Sequence, residues 1–346
     1  MVTMISPRAL IEAGLGPSGR EAEWSEVARR YAIAVPPALA ALIDPADPAD
    51  PIARQFLPDA RELDRAPHER DDPIGDDLKS PVRGLVHRYS DRVLLKLVSV
   101  CAVYCRFCFR RETIGPGGAA LDEAAFADAL EYIRARPDIW EVVVTGGDPL
   151  ALSPRRLTQA TRALAEIAHV KVLRWHTRLP VAAPERVTEA LANALTQGHE
   201  KTVYVAVHAN HARELTVAAR AACRRLHAAG VVLVGQTVLL KGVNDDAGAL
   251  ADLMRAFVET RVKPYYLHHP DAAPGTGHFR VSIERGQALM RALRAQVSGL
   301  AMPTYVLDLP DARGKIPIGP GYLEGRGPEY VATDPKGGRD NYADLI

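Results

Sequence analysis

The sequence predicts an α/β fold in which helices cover a parallel sheet. Three observations predict it. From Leu85 onward, apolar β-rich runs alternate with helical patterns. From the second strand on, the strands recur at about 30 residues, the length of one βα unit. Ser, Pro and Gly stand where such helices start and stop. Strands that alternate with helices pair in parallel and need helices on their faces.

The elements follow in order. Residues 1–84 read as a helical and loop-rich extension, with helical periodicity over Glu21–Ile33 and Pro37–Ile43 and turns at Pro45, Pro48 and Pro51. The acidic run from Asp71 to Asp77 reads as a solvated linker, and the extension as a cap or dimerisation arm. The first strand is Arg92–Ser99, followed by a cysteine-bearing loop and a helix over Leu121–Arg136. Glu141–Thr145 is a strand and Pro154–Ala168 its helix, with Ser153 as N-cap and Pro154 at the first position. Lys171–Trp175 leads to a helix over Pro184–Gln197, and Thr202–His208 to one over Ala212–Ala229. Val231–Leu240 leads to Asp246–Thr260, and Val262–Leu267 to Ile283–Ser298. These six units place a barrel-like domain at residues 85–300, with residues 301–346 as a C-terminal segment and tail.

Composition narrows the function. The chain of 346 residues is 47% hydrophobic and 25% charged, enough for a sizeable core. A net charge of +1 points to neither a nucleic-acid nor a membrane surface. No apolar run approaches the roughly 18 residues of a membrane span, and Met1–Gly16 lacks a signal-peptide layout. Four cysteines, three of them clustered, do not make a disulfide framework, and reduced thiols imply the cytoplasm.

The three are Cys101, Cys105 and Cys108, spaced C-x3-C-x2-C. Thiolates suit iron–sulfur clusters, zinc and cuprous ion. A four-iron cluster usually takes four cysteines, so three would leave one iron open, as in catalytic rather than structural metal sites. Other chemistry-bearing residues also follow strand ends, where α/β barrels place active sites. They are Gly146-Gly147-Asp148, His176 and Arg178, His208, and Asp271.

The cysteine spacing resembles that of radical S-adenosylmethionine enzymes, whose open iron chelates the methionine end of that cofactor. Their fold is a partial (βα)6 TIM-like barrel, which six units match better than an eight-fold one. Gly146, Gly147 and Asp148 resemble the segment that holds the methionine amino group, and His208 is expected beside the same cofactor. Further motifs narrow the likeness: His87-Arg88-Tyr89-Ser-Asp91-Arg92, Gly235-Gln236 through Asn244-Asp245, Asp271 through Arg280, and Tyr305 through Pro317. Together, over residues 70–322, they resemble the lysine 2,3-aminomutase family.

That resemblance implies a [4Fe–4S] cluster on the three cysteines, S-adenosylmethionine, and pyridoxal phosphate carried on Lys315. Arg88, Tyr89, Arg92 and Gln236 would surround the pyridoxal phosphate, and a flexible loop would carry Lys315. Arg110 would grip the substrate carboxylate and Asp271 with Asp308 the ε-ammonium of L-lysine, the product being β-lysine. An electron donor of the flavodoxin or ferredoxin kind and a homo-oligomer are also implied. Longer members carry a zinc cysteine where Asp246 stands here, and no cysteine follows Cys223, so no structural zinc is expected. His268 replaces a frequent tyrosine near pyridoxal phosphate, and Cys223 reads as a core thiol. The rivals are an aminomutase of the elongation factor P type, one for another basic amino acid, and a non-catalytic zinc or binding protein.

Overall fold

A computed structural model describes residues 3–326 and 329–343. One nine-stranded sheet runs in chain order: β1 (Leu85–Tyr89), β2 (Arg92–Val98), β3 (Glu141–Gly146), β4 (Val172–Thr177), β5 (Thr202–His208), β6 (Val232–Val238), β7 (Lys263–His268), β8 (Thr304–Leu309) and β9 (Gly314–Pro317). Strands β2 to β8 are parallel, and β1 and β9 lie antiparallel at the two edges. The six strands expected from sequence are β2 to β7.

The sheet continues past the boundary expected at residue 300. Strand β8 escaped the rhythm because no helix follows it. The chain instead reverses through Asp311 and Ala312, both at positive φ, and returns as β9. The two edge strands then meet without pairing: the backbone N–H of Lys315 donates to the Tyr89 hydroxyl at 2.7 Å. Gly314, at φ +100°, lies against the same ring. The barrel is nearly closed, by a side chain rather than by a ladder.

Helices pack outside this sheet, and their starts follow the chemistry of the sequence. Asp122, Ser153, Thr216, Asp246 and Ser282 each accept a backbone N–H from the first turn of the helix they precede. The helix expected over Pro184–Gln197 is broken instead. It becomes a single turn at Pro184–Arg186 and Glu189–Ala194 capped by Thr188, and a short helix, Leu179–Ala182, precedes them. Pro184 has no N–H to continue that short helix.

The N-terminal arm has a small core of its own, in which Leu10, Trp24, Val35, Leu39, Ile52 and Phe56 pack with Val103 of the cysteine loop and Ala182. The acidic run at 71–77 is not a solvated linker. Ile74 and Asp76 are buried, and the Ala312 N–H donates to the Ile74 carbonyl at 3.0 Å. Gly75, at φ +72°, is required there, because a Cβ would stand 2.5 Å from the Ala312 nitrogen. Beyond the barrel, β10 (Leu323–Arg326), β11 (Glu329–Thr333) and β12 (Arg339–Ala343) form a separate antiparallel sheet. No helix among the described residues is long and apolar enough to cross a membrane.

Candidate active site

The cysteine loop leaves β2 and is held from two sides. From the sheet side, the Gly147 N–H donates to the Val98 carbonyl at 2.5 Å and the Asp148 N–H to the Val100 carbonyl at 2.9 Å. Side chains are barred from this strip, because a Cβ on Gly146 would lie 2.2 Å from the Val98 oxygen and one on Gly147 2.2 Å from the Val100 oxygen. The glycines therefore let the segment before Cys101 lie against β3. The Asp148 carboxylate turns inward, accepting from the Thr177 hydroxyl at 2.7 Å, the Leu150 N–H at 3.0 Å and the Arg178 N–H at 2.8 Å. What this segment offers a ligand is backbone rather than carboxylate.

From the arm side, Glu62 is fully buried between Arg106 and Arg111. Arg106 Nε donates to its two oxygens at 2.9 and 3.0 Å, while Arg106 Nη1 reaches the Ala32 carbonyl at 2.8 Å. Arg106 lies between the second and third cysteines, so the arm fixes the loop at its centre. Sequence reasoning gave the arm no such part.

Burial, then the charges of Asp148, Cys108 and Cys105, pushes the Cys101 thiol far up. Burial and then the Cys105 charge push Cys108 up to about 11. Cys105 is raised by burial, against the opposing Arg178 guanidinium, whose Nη1 donates to its sulfur at 3.0 Å. Arg178 is itself buried and held by Gln55 of the arm at 2.7 Å and by Glu214 at 2.5 Å. His208, at the end of β5, packs edge-on against Phe107 of the loop and bonds to Asn210 at 3.1 Å. Gln236 is its register partner on β6 and pairs in turn with Tyr266 of β7.

Across the barrel mouth stand the remaining residues expected from sequence. Lys315 lies on strand β9 and not in a flexible loop, directly opposite Asp308 of β8. Hairpin register therefore sets their pairing, and the Lys315 ammonium is bonded to Asp308 Oδ2. Arg88 Nη1 donates to Asp308 Oδ1 at 3.3 Å, and His268 Nδ1 stands 3.4 Å from Lys315 Nζ. Burial opposes ionisation of Asp308, but His268, whose Nδ1 stands 3.8 Å from Oδ2, and the Lys315 charge hold its carboxyl well below the usual range. Burial, and then the Asp308 charge, raise Asp271 to about 7. Arg110 is bound by Asp76, its Nη1 lying 3.4 Å from the Thr145 hydroxyl. Arg92 pairs with Asp91 at 2.8 Å and stacks over the Tyr89 ring.

The site thus joins a thiol trio to a lysine, two acids and an arginine, all beyond the carboxyl ends of parallel strands or on the adjoining hairpin. Residues 95–254 match the family model of the radical SAM superfamily, and residues 290–334 that of lysine-2,3-aminomutase. The chain is 40% identical over 291 residues to the L-lysine 2,3-aminomutase of Clostridium subterminale, covering 84% of this chain and 70% of that one. The chain belongs to the lysine 2,3-aminomutase family of radical SAM enzymes. Other members it resembles are the L-lysine 2,3-aminomutase of Escherichia coli K12, 37% identical over 83% of each chain, and a glutamate 2,3-aminomutase of Clostridioides difficile. The latter is 37% identical over 90% of this chain and 74% of its own. The protein is accordingly an isomerase, a radical SAM 2,3-aminomutase.

Membership in this family implies a four-iron cluster and S-adenosylmethionine, and the donor set fits them. Among the described residues no three His, Cys, Asp or Glu side chains converge on a single-ion site. A single zinc ion needs sulfurs within about 4 Å of one another, since each Zn–S bond is about 2.3 Å. A cluster spreads its cysteines over different irons. Three thiols on one loop, with the fourth buried in the helix Val217–Ala228, are a soft donor set that suits a cluster with one iron left for a small ligand. Among the described residues His176 Nε2 and Arg88 Nε are buried without a protein partner, which leaves both able to bond a ligand.

Proposed function

We propose that this enzyme moves the α-amino group of L-lysine to C3, forming β-lysine, with pyridoxal phosphate carried on Lys315. The observation that carries this reading is the ammonium already seated at Asp308. That ammonium belongs to the side chain of Lys315, with Asp271 nearby. Were Lys315 engaged by pyridoxal phosphate, its ammonium would leave Asp308. The vacated carboxylate then receives a substrate ammonium of the same chemistry. A glutamate in this place would set its distal carboxylate against two acids, which disfavours it.

When bound, the cluster with S-adenosylmethionine supplies a carbon-centred radical that takes hydrogen from the substrate, and pyridoxal phosphate supplies the imine through which nitrogen migrates. The residues of the chain position and shield. Arg110 offers its planar fork to the substrate carboxylate. Asp308 and Asp271 fix the far end, so that C3 is presented in one orientation. Tyr89, Arg92 and Gln236 are assigned to the surroundings of pyridoxal phosphate, with Arg88 joining them through its unpartnered Nε. Gly146, Gly147 and the Asp148 backbone, with His208, are assigned to S-adenosylmethionine. Burial, then the nearby Arg178 charge, lowers the His208 pKa far below the usual range. The arm closes over the cysteine loop and keeps water from the radical.

Anaerobic reconstitution with iron, sulfide, pyridoxal phosphate and S-adenosylmethionine, followed by a panel of L-lysine, L-arginine, L-ornithine and L-glutamate, tests this. Conversion of lysine alone to its β-isomer is expected. Conversion of glutamate with lysine untouched would overturn the substrate assignment.

A further inference from the structure

We propose that Asp76, carried by the N-terminal arm, is a positioning and specificity residue that aims Arg110 and tunes the pocket against acidic amino acids. The inference rests on the lysine reading above. Asp76 is only 5% exposed, and its two oxygens face two different arginines. Oδ2 accepts from Arg110 Nε at 3.1 Å and Nη2 at 2.7 Å, while Oδ1 accepts from Arg88 Nη2 at 3.0 Å. A guanidinium has a side edge, Nε with Nη2, and an end edge, Nη1 with Nη2. Asp76 takes the side edge of Arg110, which leaves the end edge for an incoming carboxylate.

The acid is itself held firmly. Its N–H donates to Asp72 Oδ1 at 2.9 Å, and the neighbouring Ile74 carbonyl accepts from Arg88 at 3.2 Å as well as from Ala312 at the β8–β9 turn. Arg88 continues to Asp308. A row with buried Asp76 at its heart and half-buried partners therefore runs Arg110, Asp76, Arg88, Asp308, Lys315, alternating in sign from the carboxylate grip to the ammonium grip. The spacing of the two grips is set by this row rather than by flexible side chains.

Charge supplies the selectivity. Arg110 and Arg88 face Asp76, Asp308 and, when ionised, Asp271. With the Lys315 ammonium withdrawn from Asp308, that balance would favour a substrate of net charge +1. Without the Asp76 carboxylate, one arginine loses its counter-charge and the pocket accepts a second substrate carboxylate. Like charges brought together in a desolvated site cost several kcal/mol, so the change is large on the scale of discrimination.

Asp76→Asn and Asp76→Glu separate the two parts of the claim. For each variant, L-lysine binding is followed by calorimetry on the reconstituted, unreduced holoenzyme, and KM, kcat and inhibition by L-glutamate by product analysis. Asp76→Asn should weaken lysine about tenfold or more, mainly in KM, and strengthen glutamate inhibition about tenfold. Asp76→Glu keeps the charge, so it should raise the lysine KM by displacing Arg110 while glutamate remains excluded. Lysine and glutamate constants within twofold of the parent in both variants would overturn the inference. So would glutamate inhibition gained equally by Asp76→Glu. Failure of the parent holoenzyme to bind lysine would instead overturn the substrate reading, and this inference with it. Should Asp76→Asn not fold, the charge-balanced Asp76→Asn/Arg88→Met variant takes its place. It must show weakened lysine without gained glutamate, and unchanged lysine affinity would count against Asp76.

Discussion

Asp271 is half-buried and makes no ion pair among the described residues, so its titration answers to the charges around it. Its folded pKa, raised by burial and then by Asp308 to about 7, lies above the ordinary Asp value near 3.9. Between those two pH values the folded chain binds more protons than the unfolded one, so this group lowers stability as pH rises from about 4 to 7. A substrate ammonium favours the ionised form, so lysine binding below about pH 7 releases a proton and KM for lysine should fall as pH rises through 7. A KM–pH profile checks this, with Asp271→Asn expected to flatten it; a parent profile already flat across that range would contradict it. The acids at 271 and 308 were legible from their motifs. Their division of labour was not. Asp308 faces Lys315 only because a hairpin sets that register, and the hairpin lacks the helix that follows each of β2 to β7.

At the scale of elements, the arm and the cysteine loop act as one unit. Glu62 sits between Arg106 and Arg111, so Glu62→Gln leaves a buried cation uncompensated, at a cost of about 3–5 kcal/mol. Thermal unfolding should show that loss, and iron bound after anaerobic reconstitution should fall with it. Stability and iron content equal to the parent would detach the arm from the loop. Gly147→Ala tests the sheet side, since its Cβ would meet the Val100 carbonyl. Iron retention should drop sharply while the far side of the barrel stays folded by circular dichroism. Neither contact was readable beforehand. Glu62 and Arg106 are 44 residues apart, in stretches without helical or strand period, and an acidic run such as 71–77 looks the same whether solvated or paired. The spacing of the cysteines was readable because thiol chemistry is concentrated in a few residues.

Across the whole molecule, alternation of period and caps made β2 to β7 and most of the helices legible. What closes the barrel was not. Tyr89 and Lys315 lie 226 residues apart and join the two edges by one hydrogen bond. That closure brings the radical-generating loop and the lysine hairpin to one mouth, which is the central claim. Borohydride reduction of the holoenzyme reconstituted with pyridoxal phosphate, followed by peptide mass mapping, tests it most directly. A single pyridoxyl label on Lys315 is expected, lost when L-lysine is added before reduction and retained with L-glutamate. A label on another lysine, or one on Lys315 that lysine does not remove, would contradict it.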